Sequence, residues 1–256
     1  MYSRYVALGD SQTEGLMDGD ELRGYRGWAD RLAGHLAAVN PGLHYANLAV
    51  RGHRAHQVHH GQLGPALDLR PDLATVVAGV NDLLRRRFDG AAVAAHLEAM
   101  FAALTGAGAR VLTVVFPDPA LLMPAARPLS ARTAELNARI RAAAARHGVT
   151  VVNLTEHPVC TDPRLWSPDR LHLSPLGHAR FAAGAAHALG LPGFHTWSDP
   201  LGPRPPVGAW QRAGAELRWV RGFAGPWLAR RLRGRSSGDG RVAKRPALAP
   251  PDSPAD

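Results

Sequence analysis

The sequence predicts an α/β protein, a three-layer α/β/α sandwich about a parallel sheet of five strands. Short apolar runs of buried-strand length recur at residues 5–9, 43–48, 73–79, 111–116 and 149–154, and stretches of helical pattern or composition separate them. Strands that alternate with helices are joined by right-handed crossovers, lie parallel and are buried on both faces. The first three runs also end abruptly in small-residue turns, at Gly9-Asp10-Ser11, Arg51-Gly52 and Gly79-Val80-Asn81. Such turns lie at the carboxyl edge of an open sheet, where these folds place their ligands.

Taken in order, residues 16–24 are rich in Asp and Gly and read as a loop beside Ser11. Trp28, Leu32 and Leu36, four apart, mark one face of a helix that Asn40-Pro41-Gly42 stops. His53, His56, His59 and His60 follow. The i, i+4 pair His56 and His60 could face a metal, but no cysteine is near and no His-Glu-x-x-His pattern is present, so a polar helix surface is expected and no metal. Residues 91–105 form an Ala-rich helix with Val93, Leu97, Met100, Phe101 and Leu104 turned inward. The four prolines of residues 117–128 make a loop at the site edge, where Leu121, Leu122 and Met123 line an acyl pocket or pack on the loop's own base. Residues 130–147 are helical, and Pro175 suits the first turn of a last helix running to about Leu189.

Asp169 stands three residues before His172, just ahead of that helix. This spacing lets a carboxylate reach Nδ1 of the histidine and leaves Nε2 free to take a proton from a serine hydroxyl. Ser11, at the end of the first strand, supplies such a hydroxyl. Asn81 alone would read as a turn former and Asp82 as a helix cap.

Gly9-Asp10-Ser11, Asn47 to Gly52, Gly79-Val80-Asn81-Asp82 and Asp169-x-x-His172, in that order, resemble the SGNH hydrolase family, the GDSL-type esterases and lipases. The resemblance spans residues 5–185. It implies the flavodoxin-like strand order 2-1-3-4-5, with Ser11 as nucleophile, His172 as base and Asp169 as its orienter. It further implies an oxyanion hole of the Ser11 and Gly52 backbone N–H groups and the Asn81 amide. Gln12 stands where the name-giving motif has Leu.

Charge divides the chain. The formal net charge is +9, and from Asp199 onward eleven Arg or Lys face five acids, so most of the excess lies there. Three parts are expected: a hydrolase domain over 1–195, a Pro-rich linker and basic amphipathic helical extension over 196–234, and a disordered tail over 235–256. The helix is expected over 210–232, carrying Trp219, Val220, Phe223, Trp227 and Leu228 and interrupted at Gly222 and Gly225-Pro226. It packs on the domain or, alternatively, meets an anionic membrane surface. Nucleic-acid binding is not expected, because no known module is recognisable. With Cys160 as the one cysteine and no apolar stretch of membrane-spanning length, a cytoplasmic protein is expected.

The resulting expectation is a serine hydrolase of carboxylic esters, of small molecules or lipids, with short to medium acyl chains and no cofactor. An acyltransferase using the same triad and a catalytically silent binding module, its basic tail the partner-binding part, are the alternatives.

Overall fold

The computed structural model describes residues 1–204, 208–226 and 236–252. Strand β1 (Arg4–Gly9) runs through its centre. Side chains alternate across a strand, so Tyr5 and Ala7 enter one hydrophobic core and Val6 and Leu8 the other. Strand β1 is flanked by β2 (His44–Asn47) on one side and β3 (Leu73–Val77) on the other, both parallel to it. Beyond β3 lie β4 (Arg110–Val115) and β5 (Thr150–Asn153), also parallel. The parallel strands therefore stand in the order β2-β1-β3-β4-β5, as the resemblance implies.

Five helices flank the sheet: α1 (Trp28–Val39), α2 (Ala55–Asp68), α3 (Gly90–Gly106), α4 (Ser130–Arg146) and α5 (Pro175–Ala188). Helices α1 and α5 cover the Tyr5 face, where the Trp28 and Phe181 rings meet edge-on with centroids 4.8 Å apart. The other three cover the Val6 face, and all five apolar residues expected to point inward from α3 are buried there. Ser174 caps α5 by accepting a hydrogen bond from the Gly177 N–H at 3.1 Å, with Pro175 in the first turn.

In its described residues, 236–252, the tail departs from the expected disorder; residues 235 and 253–256 of that expectation lie outside the described residues. Residues Arg245–Ala249 form a sixth strand, β6, antiparallel to β2, with Tyr45 opposite Ala249 and Asn47 opposite Arg245. Without it β2 would be an edge strand with unpaired backbone donors and acceptors. Beside it, Lys244 Nζ donates to Asp30 Oδ2 and to the carbonyls of Glu14 and Tyr25 at 2.6, 2.6 and 2.8 Å. A composition rich in Ser, Gly, Pro and charge argues against a core of its own. Strand addition to an existing sheet needs only backbone pairing, and Lys244 and Arg241 here meet Asp30 and Glu21 of the domain.

The helix of the extension, α6, spans Ala209–Trp219 and runs into a wider π-helical turn at Val220–Ala224. Trp227 and Leu228, placed on it from the sequence, lie outside the described residues. Among the described residues no helix is long and apolar enough to cross a membrane.

Candidate active site

Three strand ends and one loop converge on Ser11. Strand β1 stops at Gly9, and Asp10 caps the single helical turn Ser11–Glu14 by accepting from the Gln12 N–H at 3.2 Å. The Ser11 hydroxyl thus sits at the carboxyl edge of the central strand, on a turn held from both ends, and is 8 % exposed.

The Asp169–His172 segment approaches as a tight loop. Its base is closed by an antiparallel bridge between Trp166 and Leu173 and by the Ser167 N–H donating to the His172 carbonyl at 2.8 Å. Asp169 Oδ1 accepts from the Ser167 hydroxyl at 2.6 Å and from the Leu171 and His172 N–H groups at 2.9 and 3.0 Å. Oδ2 lies 2.6 Å from His172 Nδ1, and His172 Nε2 lies 2.8 Å from Ser11 Oγ. Burial pushes the Asp169 carboxyl up, but its hydrogen bonds and the neighbouring imidazole outweigh that and hold it at about 2. An ionised Asp169 accepts the Nδ1 proton, so Nε2 is the lone-pair nitrogen facing the serine hydroxyl. This relay can carry a proton from Ser11 to His172.

Gln12 also belongs to the site, although its motif position showed only a departure from Leu. Its Nε2 donates to the Leu171 carbonyl at 2.7 Å and its Oε1 accepts from the Leu173 N–H at 3.3 Å. The residue after the serine therefore grips the backbone on both sides of His172. Only the folded loop reveals this, because the partners are 159 and 161 residues away.

The other side of Ser11 is formed by the loops after β2 and β3. Gly52 has φ +76°, a left-handed conformation that favours glycine. Its loop is anchored by Arg51, whose side chain is buried against Glu14; the Arg51 N–H donates to Glu14 Oε2 at 2.7 Å and its Nε to Oε1 at 2.9 Å. Gly79, at φ +115°, turns the chain out of β3 into Val80–Leu83. Asn81 Nδ2 there donates to Asp10 Oδ2 and to the His53 carbonyl, both at 3.0 Å. The amide thus lies between the Ser11 turn and the Gly52 loop with both protons engaged. Burial lifts the Asp10 carboxyl to about 7, against the opposing bonds from the Gln12 N–H and Asn81. Asp82 is a cap, as expected, but of another element: its Oδ2 accepts from the Ala55 N–H at the start of α2, at 2.9 Å.

Trp166, Leu122 and Met123 line an apolar cavity of 590 Å³ that opens beside Gln12 and His172, whereas Leu121 points to solvent. His178 stands behind the Ser11 turn, where its Nδ1 accepts from the Trp28 N–H at 3.1 Å and its Nε2–H donates to the Leu16 carbonyl at 3.0 Å. Burial pushes its pKa down to about 4, so it is neutral.

The histidines of α2 group differently from the i, i+4 pair His56 and His60. Ring nitrogens of His59, His60 and His96, the last on α3, lie within 4.8 Å of one another, with His59 Nδ1 and His96 Nδ1 3.0 Å apart. These three could hold a metal ion; among the described residues no carboxylate or thiol joins them.

Known proteins agree with this architecture. Residues 7–180 match the GDSL-like Lipase/Acylhydrolase family, and the chain belongs to it; it is an esterase or lipase of the SGNH type. No curated protein matches the sequence. Solved structures do match in fold. The chain is similar to LAE5, an alpha/beta hydrolase enzyme from the metagenome of Lake Arreo, Spain, at 21% identity and TM-score 0.63, covering 74% of this chain and 95% of that one. It is similar to the lipase/acylhydrolase from Enterococcus faecalis at 22% identity and TM-score 0.59, over 73% and 95% of the two chains. For a catalytic mutant of Axe2, an acetylxylan esterase from Geobacillus stearothermophilus, the values are 16% and 0.63, over 73% and 94%.

Proposed function

We infer that the protein hydrolyses carboxylic esters in two acyl-transfer steps on Ser11. His172 takes the hydroxyl proton as Ser11 Oγ attacks the ester carbonyl, and then gives it to the leaving alcohol; water repeats the sequence on the acyl-enzyme. Asp169 fixes the His172 tautomer and stabilises the imidazolium. The Ser11 and Gly52 N–H groups and the Asn81 amide stabilise the oxyanion, Asn81 exchanging one of its two present acceptors for it. Short to medium acyl chains fit the cavity beside His172, and the buried, unpaired Cys160 accords with a cytoplasmic setting.

One observation carries this reading: the unbroken chain from Ser11 Oγ through His172 to an ionised Asp169, at 2.8 and 2.6 Å. The test is hydrolysis of p-nitrophenyl esters, acetate through palmitate, by wild type and Ser11→Ala with and without EDTA. Activity lost in Ser11→Ala and indifferent to EDTA is expected. Activity that survives the substitution refutes the assignment, and activity abolished by EDTA would move the chemistry to a metal.

A further inference from the structure

The apolar cavity is not completed by the family domain. Residues 7–180 match the family, yet part of the cavity wall comes from far beyond it: Trp219, Gly222 and Phe223 line the same space as Leu122, Met123 and Trp166, beside His172.

This wall is fastened to the triad loop itself. Arg170 sits between Asp169 and His172 with φ +59°, a conformation that costs energy in a non-glycine residue. Its guanidinium makes two bonds to the Glu216 carboxylate, at 2.7 and 2.9 Å, and lies over the Trp219 ring, 5.0 Å from its centroid. Trp219 Nε1–H donates to the Asp169 carbonyl at 3.0 Å. A single exposed ion pair is worth little, but here a two-pronged pair, a cation–π contact and a hydrogen bond act on one residue pair of the extension. The segment is also tied down on its far side. Strand β6 pairs with β2, and Ser236 lies so close to the Gly52 loop that a Cβ on Gly52 would overlap its hydroxyl.

We propose that the C-terminal extension is a substrate-binding element: Trp219 and Phe223 form the roof of the acyl site, and the Glu216–Arg170 pair holds that roof against the triad loop, selecting medium-length apolar acyl groups. The proposal rests on the esterase reading of the same site. A 590 Å³ apolar cavity lies within the range that encloses a small-molecule ligand, and an acetyl group would leave most of it empty. Glu216 touches no substrate in this account; it is a positioning residue.

The experiment uses the full chain and has two readouts. Rates on p-nitrophenyl acetate and octanoate are compared for wild type, Glu216→Gln, Glu216→Arg and Phe223→Trp, and decanoate binding is measured by calorimetry with Ser11→Ala alone and combined with Glu216→Arg. Each methylene that loses its wall lowers kcat/KM by about fourfold. Glu216→Arg, which places two guanidinium groups face to face, is therefore expected to lower the octanoate-to-acetate ratio about tenfold and to weaken decanoate binding similarly. Glu216→Gln should act in the same direction but less. Phe223→Trp, by filling the cavity, should shift preference toward shorter chains. Unchanged ratios and unchanged decanoate affinity in Glu216→Arg would overturn the proposal. If wild type cleaves no ester but decanoate affinity still falls in Glu216→Arg, the acyl site stands and the esterase reading fails.

Discussion

Asp169→Asn tests the relay most finely, because the structure dictates how the new amide must sit. Oδ1 accepts three protons, from the Ser167 hydroxyl and from the N–H groups of Leu171 and His172. An asparagine keeps these bonds only by placing its carbonyl oxygen at that position, which turns its NH2 toward His172 Nδ1. Nδ1 must then accept, the imidazole proton moves to Nε2, and Nε2 can no longer take the Ser11 proton. Loss of the correct tautomer costs about 10⁴-fold in kcat in serine hydrolases of this logic. The substitution is nearly isosteric, so the loss is expected at little change in KM, measured on a p-nitrophenyl ester at pH 7. Stability responds separately. The Asp169 pKa lies near 2 in the folded chain against the ordinary aspartate value of 3.8, so its contribution is present above pH 3.8 and is lost as pH falls toward 2. A shift of that size corresponds to about 2 kcal/mol, the destabilisation expected of the variant near neutral pH by urea titration. A kcat within tenfold of wild type would refute the tautomer argument.

Three further outcomes follow from the same geometry. Gln12→Leu removes both bonds that grip the His172 loop, each worth about 0.5–1.5 kcal/mol, so kcat should fall about 5- to 100-fold with KM nearly unchanged; a loss under twofold would remove Gln12 from the positioning of His172. Asn81→Ala should lower kcat on the order of 100-fold or more, and a change below a few-fold would exclude it from oxyanion stabilisation. His178 is neutral in the fold with its pKa lowered to about 4, whereas an unfolded histidine protonates near pH 6.5. Its contribution is therefore complete above about pH 6.5 and is lost as pH falls toward about 4. The stability gap between wild type and His178→Asn should accordingly narrow over that interval in urea titrations, and a gap independent of pH would contradict the neutral assignment.

The parallel sheet and the Ser11, Asp169 and His172 relay were legible because each rests on local pattern: apolar runs buried on both faces, a small-residue turn after a strand, a three-residue Asp–His spacing. What escaped is what depends on contacts remote in sequence. Strand β6 takes its register from β2, two hundred residues away, and residues 245–249 carry no alternation that announces it. The role of Gln12 is invisible until the His172 loop returns to it. His59 and His60 gain His96 only when α2 packs on α3, and Asp82 caps α2 because two loops meet beside Ser11. Packing of α6 on the domain is the first reading of its amphipathic pattern, but where it seats is not legible there, since a face that packs on a protein and one that lies on a membrane read alike. The Glu216, Trp219 and Arg170 contacts place it on the triad loop.

The central claim, that Ser11 is the nucleophile activated by His172, is tested most directly by treating the protein with a fluorophosphonate ester and mapping the adduct by peptide mass spectrometry. A single phosphonyl group on Ser11, absent in Ser11→Ala and formed much more slowly in His172→Ala, is the expected result. An adduct on another serine, or none on Ser11 under conditions in which wild type cleaves esters, would contradict the account.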